Sequence, residues 1–376
     1  MDATKPDSED GYTSESNEAI IARMERRIRS ARANRPRRQI QRDYIYTHAE
    51  DFWDRHLGDL VNDGLSLGLA RRQGLQPLGE ILHDAFEYAA PLTLGYIQLG
   101  GYINNLALTS WKPESPRTRP KVEALVELHA RSLVLFEEIC HLTFGGYPAG
   151  ATSLSRTLHE VRVTARFLRR FESRLSERYL AGHIVEMWTA KDDFRPRGSA
   201  ARSNAWKKVE QELDARYEEI IEKHGLSMAI PNGWAWPRLR GRYGFTDKVP
   251  RHIRFAHIEK AAGVPHDRQR YRHSSRRAHA GRLGDIQTLI SREAGVGLLG
   301  PRPFGLAPAL VDSIYNTQDV TESLLRSCGH LVDDGAIYYW LEAMDQLSYV
   351  LRGLVTDGQS RLDAIFEPNE FLPQAN

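Results

Sequence analysis

The densest set of reactive side chains lies between Asp267 and Arg282. Six arginines, Arg268, Arg270, Arg272, Arg276, Arg277 and Arg282, stand there beside His273 and His279. So many guanidiniums call for anions. If the segment is helical, Tyr271, Ser275 and His279 recur every fourth residue on one face, with Arg272 two turns from His279 on nearly the same side. A phenol, a hydroxyl, an imidazole and a guanidinium then converge. Arg272 would bind a phosphodiester, and His279, an imidazole that titrates near neutral pH, would act as general acid or base. The same residues have a second account, in which Ser275 and His279 make internal hydrogen bonds and the arginines lie on a solvated face.

A second polar set sits on the segment that follows Gly145-Gly146-Tyr147-Pro148. Leu154, Leu158, Val161, Ala165 and Leu168 form an apolar stripe at spacings of three and four. A neighbouring face carries Arg156 and Glu160, an i,i+4 pair, with His159 and Arg162 beside them. Either this is an ordinary helix ion pair, or Glu160 is half-buried and fixes an arginine or tyrosine of another helix. His159-Glu160 is no zinc-protease signature, because Val163 stands where the second histidine is required.

Trp234, Trp236, Pro237 and Arg238 cluster in an irregular stretch, 225–250. The tryptophans either plug this loop onto the body of the protein or offer a stacking platform to a base, with Trp236 the candidate ligand contact. Cys140 with His141 and Cys328 with His330 lack recognised zinc spacing, so buried thiols are expected, with no metal and no cofactor. No Gly-Lys-Ser/Thr phosphate loop and no Gly-x-Ser-x-Gly elbow is present, which disfavours nucleotide triphosphatase and α/β-hydrolase chemistry.

The elements that position these groups are helical. Hydrophobic residues make up 41% and charged residues 27% of 376, which fits a globular chain with a sizeable core. A net charge of +2 means that attraction to an acidic partner must come from local patches. Helical periodicity is expected over 42–73, 77–108, 120–144, 148–171, 175–191, 200–224, 251–262, 267–281, 285–293, 307–327 and 333–354, with few alternating strand patterns. The predicted fold is all-α, a multi-helix bundle with an irregular Trp/Pro-rich loop and a disordered acidic N-terminal tail. Six acidic residues and one lysine define that tail, 1–18. Nine arginines and one glutamate define a basic helical arm, 19–42. Helices at 43–121 are expected to pack on a core at 122–284 that holds the polar centre; 285–365 close the bundle and 366–376 form a tail. The apolar run 89–108 is broken by Gln98, Asn104, Asn105 and three glycines, so a buried helix is expected and no membrane span. Two cysteines and an acidic start point to a reducing, cytoplasmic setting.

Taken together, Gly146-Tyr147-Pro148, Leu154, Arg156-Thr157-Leu158, Glu160, Trp236, Tyr271-Arg272, Ser275 and His279 resemble a bacterial helical family known as domain of unknown function 5677, over 122–284. The resemblance implies a helical fold and a shared polar centre at Arg156, Glu160, Tyr271, Arg272, Ser275 and His279, in which Glu160 meets Tyr271 or Arg272. It implies no established activity. Ala280 stands after the histidine where glycine or proline is more usual. Arg272 and His273 followed by His279 also resemble the loose pattern of helical ribonuclease domains of prokaryotic toxin and defence systems.

The expected function is that of an uncharacterised helical effector that handles RNA or another phosphate-bearing ligand, as a metal-independent ribonuclease with Arg272, His279 and Glu160 as catalytic residues. Arg156, Tyr271, Ser275 and Trp236 would bind the ligand. Two alternatives stay open: a non-catalytic module that binds a protein partner and whose polar centre is structural, and a nucleic-acid binder that uses the basic arm. Oligomeric state is not legible.

Overall fold

The computed structural model describes residues 75–109, 119–196, 203–246, 248–264, 301–328 and 334–366, with the side chains of 334–336 left aside. The arm at 19–42, the acidic tail, the helix expected over 42–73 and the arginine-rich segment 267–282 lie outside these residues. The chain divides into two units, Met1–Pro77 and Leu78–Asn376, and the second holds the bundle. Among the described residues every regular element is a helix and none is a strand. None of these helices is long and apolar enough to cross a membrane.

After a helical stretch at 78–85 come α1 (Ala89–Thr109), α2 (Arg119–Phe144), α3 (Pro148–Arg170), α4 (Ser173–Thr189) and α5 (Asn204–His224). A short α6 (Trp236–Leu239) and α7 (Phe255–Ala262) follow, then α8 (Ala307–Ser327) and α9 (Asp334–Ile365). The expected helix over 77–108 is in fact broken at 86–88. The final helix runs on to Ile365 because Val355 and Leu362 extend its buried stripe past Gly353 and Gly358. Gly358 is needed there, since a Cβ would lie 2.7 Å from the Ala85 carbonyl oxygen.

Three helices, α2, α3 and α8, form the centre. Thirteen residues of α3 are buried, from Ala151 and Leu158 to Val163 and Leu168, so it is covered on most sides and not on a single stripe. A tight turn at Gly145-Gly146-Tyr147 reverses the chain between α2 and α3. Gly146 has φ +80°, and a Cβ there would lie 2.9 Å from that of Pro301. Its carbonyl accepts from the Arg302 amide at 2.8 Å, which ties the turn to the approach of α8. On one flank α1 packs against α2 and α9. Tyr96 meets Phe136 edge-on at 5.3 Å, and Gly100 allows close approach of Leu133. On the other flank lie α4, the loop after α5, and α7. The start of α8 is capped from α9: Gln359 Oε1 accepts from the amides of Leu306 and Ala307 at 2.8 and 3.1 Å, relieving orphan donors of the first turn.

A buried histidine links α1, α2 and α8. His129 Nδ1 lies 3.0 Å from Asn104 Oδ1 and Nε2 lies 3.0 Å from Thr321 Oγ1. Burial pushes its pKa down from 6.5 to about 4, so the ring is neutral in the folded state at pH 7. Between these values the unfolded chain binds the proton and the folded one does not. Stability is therefore complete above pH 6.5 and is lost as the pH falls toward 4. Denaturant melts should show a loss of about 2 kcal/mol between pH 7 and pH 5 from this group. His129→Gln should flatten the slope, whereas an equal slope in the variant would assign the loss elsewhere.

Candidate functional site

Arg156 and Glu160 sit on α3, one turn apart, with Arg156 Nε 3.5 Å from Glu160 Oε1. Their side chains are 23% and 39% exposed, so the pair lies on the rim of the bundle in contact with solvent. The expected i,i+4 geometry is present. His159 and Arg162, expected beside this pair, turn inward instead. They are 6% and 2% exposed and bind other helices. Tyr271, Arg272, Ser275 and His279 lie outside the described residues.

His159 Nε2 is 3.0 Å from Glu259 Oε1 of α7, with both groups buried. Arg162 Nε donates to Asp319 Oδ2 of α8 at 2.5 Å, and its Nη1 donates to Asn316 Oδ1 at 3.2 Å. The Tyr315 ring centre lies 4.5 Å from its guanidinium carbon. Arg166, one turn on, donates through Nη1 to the same Asp319 oxygen at 3.0 Å. A single carboxylate therefore holds two guanidiniums of α3 and clamps α3 to α8. The residue spacings also set direction. Arg162 pairs with residues 316 and 319, Arg166 with 319 and Arg169 with 322, so α3 and α8 run parallel.

Beyond this clamp the last two turns of α3 open into a cleft of about 470 Å³, lined by Arg166, Arg169 and Arg170, by Ala262 of α7 and by Arg326 of α8. Arg169 Nη1 lies 3.6 Å from Glu322 Oε1, and Arg326 Nε lies 2.7 Å from the same oxygen. Arg170 Nη1 donates to the Ala261 carbonyl at 3.1 Å. The arginines at this end of α3 also suit the negative pole of the helix.

Trp236 is 6% exposed and meets Phe245 edge-on at 5.7 Å. Trp234 is wedged between Phe167 and Tyr179, at 5.5 and 5.1 Å. Both rings pack the loop against the bundle. A buried arginine that the sequence did not single out organises this loop. Arg178 of α4 donates through Nε to the Trp234 carbonyl and through Nη2 to Ser227 Oγ and the Gly233 carbonyl, at 3.0, 2.7 and 3.0 Å. Its Nη1 donates to the His224 carbonyl at the end of α5. Burial, with Arg174 nearby, lowers its pKa to about 10, and it remains cationic at pH 7.

Cys140 and Cys328 are free and buried, and burial pushes both thiols up to about 12. They pack as small apolar groups. Among the described residues no set of three or more His, Cys, Asp or Glu side chains is placed to hold a metal ion.

No curated protein and no solved structure shows a significant match to the chain. The matched family segment takes in α2 to α7, so Arg156, Glu160 and the Tyr271 to His279 series fall within it, whereas Asp319 and the rest of α8 do not. Over residues 122–295 the chain matches the model of a family of unknown function (DUF5677), the family suggested by Gly146-Tyr147-Pro148, Arg156, Glu160 and the later Tyr-Arg, Ser, His series.

Proposed function

We propose that this helical protein handles a phosphate-bearing ligand, RNA first, at a centre made by Arg156 and Glu160 together with Tyr271, Arg272, Ser275 and His279. The reading draws its main support from α3. This helix is fixed by Asp319 on one side and Glu259 on another, and it presents Arg156 and Glu160 at the rim on that rigid base. Preorganised charge of this kind is what anion recognition requires. In cleavage, His279 takes the proton of the 2′-hydroxyl as its oxygen bonds to phosphorus. The P–O5′ bond breaks, and the proton is returned to the departing 5′ oxygen. Arg272 offsets charge on the phosphorane oxygens, and Glu160 orients a basic or phenolic partner. Only protein groups are used in this scheme.

The competing reading, a non-catalytic interaction module, draws on the inward turn of His159 and Arg162, which makes polar groups of α3 into helix ties. A nucleic-acid binder working through the arm at 19–42 is the third. RNA turnover and thermal melts of His279→Ala and Arg272→Ala separate them. The leading reading expects turnover to vanish in both variants at unchanged melting temperature. Lower melting with no turnover to lose supports the module. RNA binding that is steeply salt-dependent and unaffected by either variant supports the arm.

A further inference from the structure

The cleft at the end of α3 is a site of its own, away from the Arg156–Glu160 pair by two to three helical turns along α3. Four arginines line it, and its one apolar lining residue is the small Ala262, so it suits a charged ligand and not a greasy one. Among the described residues these four guanidiniums are paired with two carboxylates, Asp319, which Arg166 shares with the buried Arg162, and Glu322. Asp319 is used up between Arg162 and Arg166, and Glu322 is shared by Arg169 and Arg326. A cationic excess of this size is more than the end of one helix needs.

The arginines are also held in place. Arg166 is tied by a hydrogen bond to Asp319, Arg170 to the Ala261 carbonyl and Arg326 to Glu322, and Arg169 forms a looser ion pair with Glu322. Each guanidinium has five donors, so these ties fix its orientation and leave donors for a ligand. Arg166 Nε is itself buried without a hydrogen-bond partner. Held donors lower the entropy cost of capture. Guanidinium forks match the oxygens of phosphate, and the excess charge favours a dianion over a singly charged diester.

We propose that this cleft binds a phosphate monoester dianion, the terminal phosphate of an RNA or nucleotide, as an anchor apart from the reacting centre. It rests on the preceding section for the RNA and on its own geometry for the phosphate.

The test uses the full chain at fixed ionic strength, with 2′-O-methyl oligoribonucleotides that carry either a 5′-phosphate or a 5′-hydroxyl and are followed by fluorescence anisotropy. The phosphorylated strand should bind about tenfold tighter, as expected for added charge-assisted bonds to arginine. Inorganic phosphate should erase that advantage, and acetate should not. Arg169→Gln with Arg326→Gln should abolish the preference. Should that pair fail to fold, Glu322→Gln carries the test. It keeps an acceptor oxygen while removing the opposing charge, so it should raise the preference severalfold. Equal affinity for the two strands, equal competition by acetate, an unchanged preference in the folded double variant, or no rise in Glu322→Gln would each overturn the proposal. The two readings fail separately. Turnover that depends on His279 alongside equal strand affinities removes the anchor alone. A phosphate preference without His279-dependent turnover removes the catalytic centre alone.

Discussion

Asp319→Ala is expected to be among the most damaging single substitutions in the bundle. The carboxylate is 7% exposed and accepts from Arg162 at 2.5 Å and Arg166 at 3.0 Å, and Arg162 is 2% exposed. Removing it takes away the carboxylate that both guanidiniums share, and breaking a buried pair from one side costs about 3–5 kcal/mol. At the usual entropy scale for a unit of this size, the melting temperature should fall by roughly 5–8 °C. The cost lies in a buried cation losing its shared carboxylate more than in the missing hydrogen bond. Arg162→Met combined with Asp319→Leu removes both charges at similar volume and should recover much of the loss, because a buried pair is often matched by apolar packing. If the double variant melts as low as Asp319→Ala, the buried cation is not the source of the damage.

Arg178→Met carries the second large effect. One side chain, 6% exposed, serves three loop carbonyls and one hydroxyl between His224 and Trp234. Methionine fills the volume but leaves those acceptors unmet, for a loss of about 3 kcal/mol or more. Arg178→Lys should not restore it, since a single ammonium cannot reach acceptors spread around a planar fork. The loss should be local first. Trp234 sits between Phe167 and Tyr179, so its fluorescence and proteolytic cutting within 225–250 should change before the far-ultraviolet circular dichroism of the helices. Simultaneous change in all three measurements would make Arg178 a global support instead.

The helices were legible because their stripes repeat. Expected and observed limits agree to within a few residues for α2, α3, α4, α5 and α8. The break at 86–88 has no sequence mark, because Phe86, Glu87 and Tyr88 include no glycine or proline. The last helix runs past its expected limit of 354 to Ile365, and Gly358 in that extension is a point of close packing, not a stop.

The polar ties were harder to read. Arg162 lies four residues after Leu158 and three before Ala165, inside the buried stripe. Asn316 and Asp319 stand three apart among Ile314, Val320 and other buried positions of α8. A cation at a stripe position on one helix and an anion at a stripe position on another is a usable signal, since neither can be buried alone. Arg178 gave no such signal, as its partners are backbone carbonyls that any sequence supplies. The arginines of the cleft come from segments 160 residues apart at their extremes, Arg166 and Arg326, and only the parallel docking of α3 and α8 joins them.

The central claim, an imidazole acting on a phosphodiester beside α3, is tested most directly by the pH–rate profile of RNA cleavage by the full chain under single-turnover conditions. A general base with a pKa near the ordinary histidine value of about 6.5 predicts a rate that rises through pH 6 to 7 in the wild type and is lost in His279→Ala. A profile unchanged by that substitution, or no cleavage at any pH, would contradict the account.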